Sequence, residues 1–194
     1  MNLFTYRYLN TPNINVIQEE LTKFILPYCE GKPTGLWTVD LLKFFANCPD
    51  TVQYLTELNV LNKLTNVCYI VVHPGAGEKD AHVDKNVEPP ITHGDSKGCL
   101  SMNFGIQNCT ETPVIFYEYI SGPKDYVPLP DPSEGSYIFY AKSTLKEIDR
   151  YILNTPVIMN NTVPHAIYNS TDNIRISVSF RFSSDPWNLT QTNQ

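Results

Sequence analysis

Residues 161–182 read NTVPHAIYNSTDNIRISVSFRF, and the last ten positions of this stretch decide the fold. They alternate with a period of two, so Ile174, Ile176, Val178, Phe180 and Phe182 share one face of a strand. Arg175, Ser177, Ser179 and Arg181 share the other. A strand built only to support a core needs its apolar face. It does not need an arginine and a serine two residues apart on the face opposite. His165 stands ten residues before Arg175, and far upstream His82 and Asp84 form an H-x-D pair. These five residues are expected to belong to one pocket.

Working outward, the chain has 194 residues, enough for a single domain (1–194) with a real core. Twelve Tyr and nine Phe suit a strand-rich protein, and fifteen Pro with nine Gly imply many turns. The formal charge of −6 offers no attraction to a polyphosphate backbone, which argues against nucleic acid as substrate or partner. Five cysteines, at 29, 48, 68, 99 and 109, form no C-x-x-C pair and read as reduced thiols. With no run approaching eighteen apolar residues, the expected setting is cytoplasmic, without membrane contact.

Residues 1–65 read as a helical N-terminal support behind a short strand at Leu3–Tyr8. An apolar stripe from Val16 to Ile25 predicts a helix over 15–26, closed by Pro27. A second helix is expected over 38–46. A third is expected over 50–58, with Asp50 as N-cap and Gln53 completing a capping box. Residues 66–184 read as the catalytic core and 185–194 as a tail. Strands are predicted from Leu64 through His73, at Cys99–Ile106, Pro113–Ile120 and Ser136–Ala141, and over the final stretch. A short helix is predicted over 143–152. The loop 86–98 reads as a lid or substrate edge, with His93 on its surface. About eight strands with helices mainly before them fit a small sandwich or barrel braced on one side.

In an extended segment His82 and Asp84 project to the same side. With one distant histidine they make two imidazoles and a carboxylate on one face of an octahedron. That set suits non-haem Fe(II), leaving positions for a co-substrate and dioxygen, although zinc or manganese accept the same ligands.

The pattern His82-Val83-Asp84, then His165, then Arg175-Ile176-Ser177 resembles the Fe(II)- and 2-oxoglutarate-dependent dioxygenases. The match runs from about Tyr69 to Phe182, and its 74–84 segment leans toward prolyl-hydroxylase-like members. The resemblance implies a double-stranded β-helix, or jelly-roll, core. It implies His82, Asp84 and His165 as iron ligands, Arg175 pairing with the distal carboxylate of 2-oxoglutarate, and Ser177 beside it. It further implies Asn103, Tyr69, His73 and Tyr117 as candidates for the co-substrate site. The cofactors implied are Fe(II) and 2-oxoglutarate, and the partners dioxygen and a peptide or small-molecule substrate. Hydroxylation of an unactivated C–H bond, with succinate and CO2 as co-products, is the expected outcome, and Asp84 argues against halogenation. Arg181 is expected at an outer surface or barrel end. Two other readings stay open: a non-catalytic jelly-roll binding module, and a cupin-type metalloenzyme that does not use 2-oxoglutarate.

Overall fold

A computed structural model describes residues 5–76, 81–83, 100–128 and 136–183. Two antiparallel six-stranded sheets with flanking helices make up the described chain. The first sheet runs in the order β1 (Tyr6–Tyr8), β10 (Val157–Asn160), β5 (Leu100–Gln107), β12 (Arg175–Phe182), β3 (Leu64–Val72) and β2 (Gly35–Val39). The second runs β7 (Lys124–Pro128), β8 (Ser136–Tyr140), β4 (His82–Val83), β11 (His165–Ile167), β6 (Val114–Tyr119) and β9 (Leu145–Tyr151).

The alternation in the final strand produces a sheet buried on both sides. The apolar residues of β12 face the helices α1 (Ile14–Cys29), α2 (Leu41–Asn47) and α3 (Pro49–Glu57). There Phe180 meets Phe44 at 5.6 Å and Phe104 at 5.5 Å between ring centroids. Leu21, Ile25 and Leu55 are fully buried in the same cluster. The opposite face of β12 is polar, yet Arg175, Ser177 and Ser179 are also buried there. Between the sheets a second apolar cluster joins Val157 and Met159 of β10 to Val114, Phe116 and Tyr151.

Several local expectations are corrected. α1 continues through Pro27 to Cys29, its last turn held against β3, where Tyr69 donates to the Tyr28 carbonyl at 3.0 Å and the two rings lie 6.3 Å apart. α3 begins at Pro49, with Asp50 in its first turn rather than at the cap. Its orphan N–H groups are satisfied from α1 instead: Glu20 accepts from the Asp50 and Thr51 amides at 2.9 and 2.8 Å, and from the Thr51 hydroxyl at 2.6 Å. Residues 145–151 form β9, not a helix. Pairing with β6 outweighs a weak helical stripe, and Ile148 and Ile152 remain exposed. The N-terminal region also supplies the sheet-edge strands β1 and β2. The expected lid at 86–98, including His93, lies outside the described residues. No helix among the described residues is long and apolar enough to cross a membrane.

Candidate functional site

His82 and His165 are brought together by strand pairing. The two are direct register partners between β4 and β11, and their ring centroids lie 4.8 Å apart. His165 is buried, and its Nδ1 lies 2.9 Å from the Val163 carbonyl oxygen. A carbonyl can only accept, so Nδ1 carries a proton and Nε2 is the nitrogen turned away from that contact. This is how a histidine ligand is held in one tautomer for a metal. Asp84, one residue beyond β4, lies outside the described residues. No cluster of three or more metal-binding side chains occurs among the residues that are described.

Both histidines line a cavity of about 290 Å3, together with Asn103, Tyr151, Arg175, Ser177 and Arg181. Arg175 is 1% exposed and its Nη1 donates to the Ser177 hydroxyl at 2.8 Å. Its Nε is buried without a partner, and no acidic side chain among the described residues pairs with the guanidinium. A buried cation with an orphaned donor is costly unless something anionic completes it. Arg175 therefore has the character of a receptor for a carboxylate. Ser177 sits opposite Gly105, where the pairing of β12 with β5 shifts register. A methyl group on Gly105 would stand 2.5 Å from the Leu153 carbonyl, so only glycine lets that cavity-lining segment approach.

Asn103 lies on the cavity side of β5. Its amide donates to the Ser101 hydroxyl at 3.0 Å, which donates in turn to Asn161 at 3.0 Å. That relay fixes the amide plane. Ser179, its register partner on β12, is fully buried with an unsatisfied hydroxyl.

Three expected co-substrate residues lie elsewhere. Tyr69 is on the helix-facing side of β3, where its hydroxyl donates to the Tyr28 carbonyl at 3.0 Å. The His73 ring contacts the Lys32 carbonyl at 2.9 Å, and His73 does not line the cavity. Tyr117 packs with Ala81, Ile115 and Ala166 on the face of β6 opposite Phe116, whose ring lies 6.1 Å from that of His165. For Tyr69 and Tyr117 strand parity, not proximity in sequence, sets the side chain's direction, while His73 lies just past the end of β3.

Two residues enter that sequence reasoning missed. Tyr151 lines the cavity from the end of β9, and burial pushes its phenol well above the usual range, the Arg175 charge working against that rise. At neutral pH it is a hydrogen-bond donor. Its direction was hidden by a register shift in the pairing of β9 with β6 near Ile148, which leaves Leu145 on the Tyr117 face and turns Tyr151 to the Phe116 face. Arg181, expected outside, is part-buried and lines the same cavity. Its direction was legible in its parity with Arg175.

The sequence matches no protein-family model and no curated protein sequence. Among solved structures the chain is similar to a Pseudomonas putida prolyl-4-hydroxylase, with 10% identity, 93% of this chain and 92% of that one covered, and a TM-score of 0.46. It is similar to HygX from Streptomyces hygroscopicus, solved with nickel and 2-oxoglutarate bound, with 13% identity, coverage of 94% and 83%, and a TM-score of 0.48. It is also similar to Bacillus subtilis oxalate decarboxylase, with 12% identity, 80% of this chain and 27% of that one covered, and a TM-score of 0.34. The chain thus spans about a quarter of the length of the oxalate decarboxylase chains it matches. Likenesses of this size carry nothing about chemistry, which rests on the chain's own residues.

Proposed function

We propose that the chain is an Fe(II)- and 2-oxoglutarate-dependent dioxygenase on a double-stranded β-helix, hydroxylating an unactivated C–H bond of a peptide side chain or small metabolite. One observation carries the reading: buried Arg175, lacking an acidic partner among the described residues, shares a cavity with the paired imidazoles of His82 and His165. The connectivity supports the architecture. β3, β5, β10 and β12 lie in one sheet and β4, β6, β9 and β11 in the other. The chain crosses between sheets at β3–β4–β5–β6 and again at β9–β10–β11–β12.

His82, Asp84 and His165 would hold the iron, with the Val163 carbonyl fixing the His165 tautomer. When bound, Fe(II) supplies the coordination positions and redox chemistry by which 2-oxoglutarate and dioxygen are consumed. The protein's contribution is placement. Arg175 clamps the distal carboxylate of the co-substrate through charge-assisted hydrogen bonds, with Nε free to donate. Ser177 holds the guanidinium plane by accepting from Nη1. Tyr151 offers a neutral hydroxyl on the same wall, and the apolar side chains of Val114, Leu153 and Ile167 keep the pocket dry.

A binding module with a vestigial pocket would leave His82, Asp84 and His165 apart or give Arg175 a protein carboxylate. The pairing of His82 with His165 and the lack of an acidic partner for Arg175 among the described residues favour the enzyme, and the place of Asp84 lies outside those residues. A metalloenzyme that does not use 2-oxoglutarate leaves Arg175 and Ser177 without a purpose. Anaerobic titration with Fe(II) and 2-oxoglutarate tests the reading. A visible metal-to-ligand charge-transfer band and a rise in Tm should appear together, and the absence of both would overturn the proposal. Arg175→Met should abolish 2-oxoglutarate binding while Fe(II) still binds.

A further inference from the structure

A co-substrate held at both ends spans the two sheets. The paired imidazoles stand on β4 and β11 of the second sheet, and Arg175 opens β12 in the first. The chain reaches His82 from β3 through residues 73–81, and reaches Arg175 from β11 through residues 168–174. Asn169, which is fully buried, is bonded to both connections. Its backbone N–H donates to the Ala76 carbonyl at 3.1 Å, and its carbonyl accepts from the Gly75 amide at 2.8 Å. Its side-chain amide donates to the Val72 carbonyl at 2.9 Å and to the Asn173 carbonyl at 2.7 Å. Oδ1 accepts from the Thr171 amide at 3.1 Å and from the Thr171 hydroxyl at 2.8 Å. Val72 is the register partner of Arg175, and Asn173 lies two residues before it.

The side-chain amide gives both its donors and accepts twice, so it has no bonding capacity left over. Buried and saturated, it has one orientation, since turning it would set N–H against N–H and oxygen against oxygen. We infer that Asn169 is a positioning residue that sets the span between the paired imidazoles and the Arg175 guanidinium, and with it the length of 2-oxo diacid the cavity accepts. This deepens the proposed function, on which it rests, by naming what selects the co-substrate among diacids. Asn169 does not line the cavity, so it acts through the backbones of β3 and β12 that it holds together at their Val72 and Arg175 ends. Aspartate in its place would lack both donors and set a carboxylate against two carbonyls. Alanine would leave the Val72 and Asn173 carbonyls without that partner and the start of β12 without its tether to the end of β3.

The test is binding, not turnover. Protein loaded with Fe(II) under argon is titrated by calorimetry with oxaloacetate, 2-oxoglutarate and 2-oxoadipate, which differ by one methylene each. 2-Oxopentanoate, as long as 2-oxoglutarate but without the distal carboxylate, reports the other end of the site alone. In the unaltered protein 2-oxoglutarate should bind ~10-fold or more tightly than either of the other diacids, the size expected of a charge-assisted hydrogen bond made in register. Asn169→Ala and Asn169→Asp should cut that preference ~5-fold or more, as a small displacement of a clamp implies. Fe(II) alone and 2-oxopentanoate should bind these variants as they bind the unaltered protein. A residue that only stabilises the fold would lower Tm and leave the preference among diacids unchanged. Circular dichroism and Tm follow the fold of each variant. Should neither fold, the preference is read in Thr171→Val, which removes one bond to Oδ1, leaves both amide donors in place and should reduce it by less. An unaltered protein with no preference for one length, or a preference undiminished in whichever variant folds, would overturn the inference. Failure of 2-oxoglutarate to bind the unaltered protein would instead remove the underlying function, and the role of Asn169 with it.

Discussion

Replacing Ser177 by Ala removes the hydrogen bond that Arg175 makes to a side chain, and leaves a buried N–H without that partner. Unfolding in urea should show a loss of ~1–3 kcal/mol. Saturating 2-oxoglutarate should recover part of it, because the ligand carboxylate offers the guanidinium a new partner. A loss that is the same with and without ligand would place the serine's role in the fold alone. At this scale the sequence was informative where parity could be read directly. Arg175 and Ser177 lie on one face, as their spacing requires, and His82 meets His165. It was uninformative for Tyr69, His73 and Tyr117, whose assignments came from position relative to the motif. Sequence position says nothing about which face of a strand a side chain takes once an edge or a turn intervenes.

Along β12 the apolar face does the structural part of the same strand's work. Phe180 is fully buried between Phe44 of α2 and Phe104 of β5, so Phe180→Ala should cost ~3–5 kcal/mol in chemical denaturation. An effect under ~1 kcal/mol would mean that the helices do not pack as described. The main strands were legible because their apolar residues alternate under burial on one face. β9 was not, since Leu145, Ile148 and Ile152 imitate a helical stripe and the decisive contact, pairing with β6, is distant in sequence. β2 was equally hidden: Gly35–Val39 is extended because β3 lies beside it, and nothing local announces that. The cap of α3 was misread for a related reason, the acceptor being Glu20 on another helix.

For the whole molecule, burial sets the response to alkali. It raises the thiols of Cys29 and Cys48 from 9.0 to about 11 and about 12, and it raises the phenols of Tyr54 and Tyr151 above their ordinary 10.0. All four groups are neutral when protonated, so the folded state holds their protons more tightly than the unfolded chain. Their contribution is complete below about pH 9, and stability should fall as pH rises through 9–12. Urea midpoints across that range, with phenol ionisation followed by absorbance, check the sign; a midpoint that is flat or rises would contradict it. The position of β12 has one more result. Its amides are bonded to β5 on one side and β3 on the other, so they should exchange with solvent only when the whole domain opens. Arg175, proposed to hold the co-substrate carboxylate, rides on that slowest-exchanging strand. A ligand held there should slow exchange throughout the domain, by an amount that reports its concentration over its Kd, instead of protecting only the residues it touches.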